Sequence, residues 1–473
     1  MTKNDTVRAK NVFDLIVVGP GSAGFSAAIT AAEQGKHVAI IGGGTIGGTC
    51  VNVGCVPSKT MIRAAEAMQA RAVAQRFNGI SGEAKLDRWK DVIDHKNELV
   101  LELRQAKYAD LLPQYETISY IEGMARLVQN GVDVGGQQYK SDKIIITTGS
   151  HSFIPPINGI LSVPYLDSTS ALDLTTLPKS MIVIGAGVIG CELGQMFSRM
   201  GTKVTLLCRS NVLDGAEPEI SEALTDYLRD EGIDVHCGSV YESIEDDGEI
   251  CLRYQYEGET HDLRAERVLV ATGRKANTAG FGLEEIGVKL AKNGGIIVDD
   301  FLQTNVAGIY AAGDVTGRDE YVYMAAYGAK LAAQNALNGN HLHYSNHVMP
   351  AVVFTDPNYA TVGLTEAQAR SQGIDVKTST LDLKHVPRAL AARDTRGLIK
   401  LIADGKDNRL VGAHILAPEG ADTIQTTALA IKIGMTFTEL GEMIFPYLTT
   451  VEGLKLAAQT FDKDVSKLSC CAG

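Results

Sequence analysis

The chain has no long apolar run. Its longest, Met181 to Cys191 with glycines counted, is 11 residues, against about 20 for a membrane-spanning helix. No membrane insertion is therefore expected. The opening MTKNDTVRAKNVFD is polar and has no apolar core of a secretory leader. Basic residues are also in deficit: 44 Lys and Arg against 56 Asp and Glu give a net charge of −12. With no basic tract, nucleic acid and anionic membranes are poor partners. Cysteine is sparse, at 8 in 473 residues, which excludes a disulfide-built scaffold. There is no CxxC, and the ten histidines form no HExxH pattern. No low-complexity segment occurs.

What is present is ordinary for a globular protein, with 45% hydrophobic and 21% charged residues. At about 150 residues per domain, the length suggests roughly three domains. Glycine is abundant, at 49 residues, which implies many tight turns or close backbone approaches.

Two copies of one pattern organise the first half. An apolar strand, Phe13 to Val18, runs into Gly19-Pro-Gly21-Ser22-Ala-Gly24, an Ala-rich helix ending near Gly35, and a strand from His37 to Ile41. A second strand, Met181 to Ile184, leads into Gly185-Ala-Gly187-Val-Ile-Gly190, a helix, and a strand from Lys203 to Leu207. Each is a βαβ unit with G-x-G-x-x-G at its first turn. Gly19 and Gly185 permit the tight turn. Gly21 and Gly187 let a pyrophosphate approach the backbone, and Gly24 and Gly190 let helix and strand pack closely. The helix N-terminus offers N–H groups to the phosphates. Two dinucleotides are therefore expected. Two more short strands, ending at Gly149 and Gly273, read as return crossings beside these sites. From about His347 the pattern becomes mixed α+β.

Between the two units lies Gly47-Gly48-Thr49-Cys50-Val-Asn-Val-Gly-Cys55-Val-Pro57-Ser-Lys59. A disulfide between Cys50 and Cys55 would close a very small loop, a type that tends to be reducible. Pro57 suits the first turn of a helix, placing Cys55 at its N-terminus. There the helix dipole and Lys59 favour thiolate. The alternatives are a structural zinc half-site or buried thiols. The last residues, Ser469-Cys470-Cys471-Ala-Gly473, place two adjacent soft ligands on a tail, suited to binding a soft metal ion and handing it on. An incidental cysteine-bearing tail is the alternative. Cys191, Cys208, Cys237 and Cys251 read as packing residues of the second nucleotide domain.

The GGTCVNVGCVPSK motif resembles the active-site signature of the flavin-dependent pyridine nucleotide–disulfide oxidoreductases, and the similarity extends over essentially the whole chain. Thr304 to Asp314 resembles that family's second FAD motif, and Val353-Phe-Thr-Asp-Pro the opening of its interface domain. The resemblance implies an α/β, glutathione reductase-like fold: two Rossmann-like domains for FAD and NADPH, and a C-terminal α+β dimerisation domain. Expected boundaries are 1–150 for the FAD domain with its redox disulfide, 151–275 for NADPH, 276–345 for a central FAD-contacting segment, and 346–473 for the interface domain with its Cys-Cys tail. A cytoplasmic homodimer is implied.

By position, the resemblance makes Cys55 the thiol against the flavin and Cys50 the interchange thiol. Lys59 would sit near the flavin and pair, buried, with Glu192. Asp314 would hold the ribityl chain. Ser22, Gly48, Thr49, Lys59, Gly149 and Gly273 join the cofactor-binding set, and Tyr108 is a further active-site candidate. Two departures stand out. The acid expected after the second strand, for the adenosine ribose, is replaced by Gly42. In the second unit, Cys208-Arg209 offers no acid for a 2′-hydroxyl but an arginine for a 2′-phosphate, which favours NADPH over NADH.

The third departure concerns substrate. Disulfide reductases of the family carry a C-terminal His that protonates the leaving thiol. Here Tyr447 stands in that place, with Glu452 keeping its spacing. A tyrosine with pKa near 10 is a poor proton shuttle at neutral pH. Thr449-x-x-Glu452 also fits a capping box. Phe445 to Phe461 plus the SCCAG tail resembles the members of the family that reduce Hg(II). That implies Hg(II), arriving as a thiolate complex, as substrate. Cys470 and Cys471 of one subunit would pass it to Cys50 and Cys55 of the other. Two other readings stand beside this one. One is a disulfide reductase of the high-molecular-weight thioredoxin reductase type, the other a flavoprotein that sequesters metal without turnover. The N-terminal metal-trafficking domain of many Hg(II)-reducing members is expected to be absent.

Overall fold

The computed structural model describes residues 11–467. The chain forms two compact units. The first comprises residues 1–58, 94–153 and 273–346; the second comprises 59–93, 154–272 and 347–473. The chain passes from one to the other within the helix Cys55–Ala67.

The first unit is built on a five-stranded sheet whose inner order is Ile309–Ala311, Ile144–Ile146, Leu15–Val18, Val38–Gly42, Ile118–Glu122. The pairings within it are parallel. A strand buried on both faces of a parallel sheet must be apolar throughout, and LIVV, VAIIG and III satisfy this with every residue buried. The helix Ser22–Ala32 packs on this sheet, and the long helix Val322–Asn338 packs against it through a face of alanines. Small residues on both helices allow that close approach.

The second unit repeats the plan with a four-stranded parallel sheet, ordered Asp234–Cys237, Lys203–Cys208, Ser180–Ile184, Arg267–Val270. The helix Val188–Arg199 follows its first strand. Residues 351–417 form a separate five-stranded antiparallel sheet. The helices Gly420–Lys432 and Glu452–Gln459 close its core. The βαβ units, the return strands and the change of pattern near His347 thus match the sequence expectation, with ends shifted by one to three residues.

A buried ion cluster sits in the second unit. Lys400 is 3% exposed; its ammonium donates to Glu217 at 2.7 Å and to Glu219 at 3.0 Å, with Glu366 also at 3.0 Å. Burial opposes its charge, but the hydrogen bonds to the three carboxylates outweigh it and raise its pKa. The single tryptophan, Trp89, lies in the same unit, buried 6.0 Å from the Phe197 ring with its N–H on the Leu174 carbonyl. Replacing Lys400→Ala strands Glu217, itself 2% exposed. The expected cost is about 3–5 kcal/mol, read as an earlier midpoint of Trp89 fluorescence in urea. An unchanged midpoint would show that the cluster is not holding this unit together.

Candidate functional site

Gly19 has φ +124°, and a Cβ there would lie 2.3 Å from the Thr147 carbonyl oxygen. A Cβ on Gly24 would lie 1.9 Å from the Gly19 oxygen. At Gly21 the nearest atom is the Gly48 Cα at 3.6 Å, an ordinary van der Waals contact, so nothing crowds the backbone there. The second turn repeats this: Gly185 would meet the Ala271 oxygen at 2.4 Å, Gly190 the Gly185 oxygen at 1.8 Å, and Gly187 nothing within 4 Å. First and third glycines are required by packing, and the middle one leaves a place for a phosphate.

The first turn opens into a cavity of about 560 Å³ lined by Gly19, Pro20, Gly42, Met124, Thr148 and Asn277 among others. Behind it, Asp314 is held in a network. Ser150 donates to its Oδ2 at 2.7 Å, and Arg274 Nε donates to the Ser150 hydroxyl at 2.7 Å while lying 3.9 Å from the carboxylate. Ser150 and Arg274 directly follow Gly149 and Gly273, so the two strand-ending motifs marked their position without naming them. The uncrowded turn at Gly21, the cavity and the anchored acid together fit an extended dinucleotide such as FAD.

Gly42 proves to be a packing requirement. A Cβ there would lie 2.4 Å from Pro20 Cδ and 2.8 Å from its Cγ. The stiff proline ring in the glycine turn excludes any side chain at this position, an acidic one included. The register places Glu122 of the neighbouring strand opposite Gly42.

The cysteine motif folds as two short helices, Gly48–Asn52 and Cys55–Ala67. Cys55 opens the second, as Pro57 led one to expect. Gly47 and Gly48 have φ +95° and +66°, and a Cβ on Gly48 would sit 2.6 Å from the Gly21 Cα. Thr49 and Cys50 thus follow directly on the first glycine turn. Both cysteines are half-buried. Tyr108 belongs with them: its hydroxyl is 3.0 Å from the Ser22 hydroxyl, and its ring meets Phe25 edge-on at 4.9 Å. Burial raises its pKa, Ser22 partly offsets this, and the charges of Cys50 and Cys55 add to the rise. Tyr323, absent from the sequence expectation, is also raised, by burial, Tyr321, Asp319 and Cys55. No periodicity or motif marks it.

In the second unit Lys59 donates to Glu192 at 2.7 Å. The expectation of a buried lysine needs correction: Lys59 is 34% exposed and only Glu192, at 3%, is buried. Glu192 also accepts from the Phe354 N–H at 2.9 Å, and the Lys59 ammonium lies 5.0 Å over the Phe354 ring. Arg209 is exposed immediately after the strand Lys203–Cys208. Tyr447 is 57% exposed. Glu452 is buried and accepts from the Leu448 N–H, while Thr449 accepts from the Glu452 N–H. The expected capping box does not form: the helix starts at Glu452 with Val451 as its N-cap, and these two bonds instead tie the preceding turn. Cys470 and Cys471 lie outside the described residues.

A family model described as pyridine nucleotide-disulphide oxidoreductase matches residues 13–334, and one for that family's dimerisation domain matches residues 349–458. The chain belongs to the pyridine nucleotide–disulphide oxidoreductase family. It is 46% identical over 464 residues to a mercuric reductase of Bacillus cereus, spanning 98% of this chain and 73% of the relative. It is 43% identical over 476 residues to a mercuric reductase of Streptomyces lividans, spanning 99% and 100%. Among solved structures it resembles the HOCl-induced flavoprotein disulfide reductase RclA of Escherichia coli in its Cu(II) complex. That likeness has a TM-score of 0.83 at 30% identity and covers 95% of this chain and 99% of RclA. The glutathione reductase-like α/β fold follows, as does an oxidoreductase working through a flavin and a pyridine nucleotide. Within the matched dimerisation domain Leu429, Ile433 and Ile444 are exposed, Ile444 almost fully. Among the described residues no helix is long and apolar enough to cross a membrane.

Gly42→Glu should lower flavin content in the purified protein, because its side chain collides with Pro20. Gly42→Glu combined with Pro20→Gly should recover it. Equal flavin content in the wild type and Gly42→Glu would show that the turn yields and the steric account is wrong.

Proposed function

We propose that this chain is an NADPH-dependent, FAD-containing mercuric ion reductase working as a cytoplasmic homodimer. The observation that carries the proposal is the pairing of the half-buried Cys50 and Cys55, on consecutive helices beside a dinucleotide cradle, with Tyr447 where a proton-donating histidine would serve disulfide substrates. Relatives named mercuric reductase, similar over nearly the whole chain, support it. Functionally the chain divides at 1–150, 151–275, 276–345 and 346–473 into FAD, NADPH, central and interface segments.

FAD, when bound, accepts hydride from NADPH and passes on two electrons. Gly19, Gly21 and Gly24, with Gly48, Thr49, Ser22, Gly149 and Asp314, would hold it. Gly185, Gly187, Gly190 and Gly273 would hold the nucleotide, and Arg209 its 2′-phosphate. Cys50 and Cys55 bind Hg(II) as thiolates, the soft sulfur ligands a soft ion prefers. Cys55 stands at the N-terminus of its helix. Two electrons convert Hg(II) to Hg(0), which has little hold on thiolate and leaves, and both cysteines remain reduced. Glu192 keeps the Lys59 ammonium in one place, so a positive charge stands one helical turn beyond Cys55. Ser22 and Phe25 fix the Tyr108 phenol, which stays protonated and can donate toward the sulfur atoms. Hg(II) arrives as a thiolate complex and is handed on by Cys470 and Cys471 of the partner chain.

The purified holoprotein should oxidise NADPH with Hg(II) in excess low-molecular thiol and release volatile mercury, with little turnover of glutathione disulfide or thioredoxin disulfide. Cys50→Ser or Cys55→Ser should lower Hg(II) turnover by about 10³-fold or more. Strong disulfide turnover inhibited by Hg(II) would overturn the reading. Tyr447→His should raise disulfide turnover above the wild-type level; no gain would remove Tyr447 as the residue that sets the substrate. Mixed dimers of a Cys470/Cys471 variant with Cys50→Ser should recover activity at limiting thiol if transfer crosses subunits, and none if it does not.

A further inference from the structure

Cys208 and Cys237 do more than pack. They end neighbouring parallel strands, Lys203–Cys208 and Asp234–Cys237, and stand opposite each other in register. The Cys208 thiol donates to the Cys237 sulfur at 3.2 Å. Adjacent strands lie about 4.8 Å apart, inside the roughly 4.4–6.8 Å Cα window that a disulfide accepts. Closing the sulfurs to about 2.05 Å requires little more than side-chain rotation. Cys191 lacks this arrangement, being buried with its thiol on the Ala186 carbonyl, and Cys251 lies on a different sheet.

The pair is also wired to the second glycine turn. The Cys208 sulfur also lies 3.6 Å from the Ser210 carbonyl oxygen, a second acceptor within reach of its S–H. Leu213 donates to the Ala186 carbonyl at 2.8 Å, inside Gly185-Ala186-Gly187. Arg209 lies between Cys208 and Ser210. The segment that carries this arginine is thus held at one end by the Cys208 sulfur and at the other by the nucleotide turn.

We propose that Cys208 and Cys237 form a second dithiol, oxidised by hydroperoxides to a cross-strand disulfide that loosens the Arg209 segment and weakens discrimination for NADPH. The consequence for the nucleotide rests on the reading of Arg209 given above. The chemistry balances in two steps. The Cys237 thiolate attacks the peroxide O–O bond, and with one proton gives Cys237 sulfenic acid and an alcohol. The Cys208 thiol then displaces water and forms the S–S bond. Two thiols are oxidised, one hydroperoxide is reduced, and low-molecular thiol reverses the change by exchange. The hydrogen bond from Cys208 favours the Cys237 thiolate, burial opposes it, and Val212 and Arg229 assist, leaving its pKa lowered. In the disulfide Cys208 has no S–H left to offer the Ser210 carbonyl.

The test uses the reduced holoprotein treated with tert-butyl hydroperoxide, alkylated, digested and mapped by mass spectrometry. A Cys208–Cys237 linked peptide is expected, lost on adding dithiothreitol. In the linked protein the ratio of kcat/KM for NADPH over NADH should fall about fivefold. Cys237→Ser should form no linked peptide, keep its ratio after peroxide, and turn over like the untreated wild type. Cys237 recovered alkylated or over-oxidised without the link overturns the dithiol, and a linked peptide with an unchanged ratio overturns the coupling. Arg209→Ala separates the two questions. If it leaves the nucleotide preference unchanged, the assignment of Arg209 fails, while the linked peptide still decides the dithiol.

Discussion

Both nucleotide units depend on one steric constraint: the backbone of a glycine turn lies directly against a carbonyl oxygen. In the first unit a Cβ on Gly24 would sit 1.9 Å from the Gly19 oxygen, and in the second one on Gly190 would sit 1.8 Å from the Gly185 oxygen. No side chain fits such a gap. What the approach secures is the start of a helix aimed at the edge of a parallel sheet, with an open place above its first turn. In the first unit everything chemical is hung from that edge. The helix Gly48–Asn52, which carries Cys50, touches the turn at Gly21, Tyr108 is tied to it through Ser22, and Asp314 is anchored by the strand end at Ser150.

The same constraint explains the missing acid at the end of the second strand. A proline in the turn stiffens it, and the proline ring then claims the space over Gly42. In the second unit the turn is held from the outside, by Leu213 on the Ala186 carbonyl. Two copies of one motif therefore differ in what holds them. The first is packed against a proline ring, and the second is held by a hydrogen bond from a neighbouring loop.

Charge is handled differently around Lys400 and around Lys59. Lys400 is enclosed and needs three carboxylates. Lys59 is left partly open, with one carboxylate and an aromatic ring. An ammonium enclosed in the core needs full pairing to offset its desolvation, whereas a partly exposed one keeps some of its hydration.

The sequence by itself determined the parallel sheets, because doubly buried strands must be apolar along their length, and the two turns, because their glycines carry a spacing that few other structures require. It also determined Cys55 at a helix start, since Pro57 leaves few other conformations, and Lys59 one turn further along, since helix geometry is local. Tertiary structure alone decided the rest. It brought Ser150 and Arg274 onto Asp314, turned Gly42 from a lost contact into a packing necessity, and left Lys59 half-buried where full burial was expected. It also joined Cys208 to Cys237, which 29 positions separate in the chain. The physical reason is the same in each case. Periodicity and turn chemistry report what a residue does to its own backbone, but strand register and side-chain contact are set by neighbours distant in sequence.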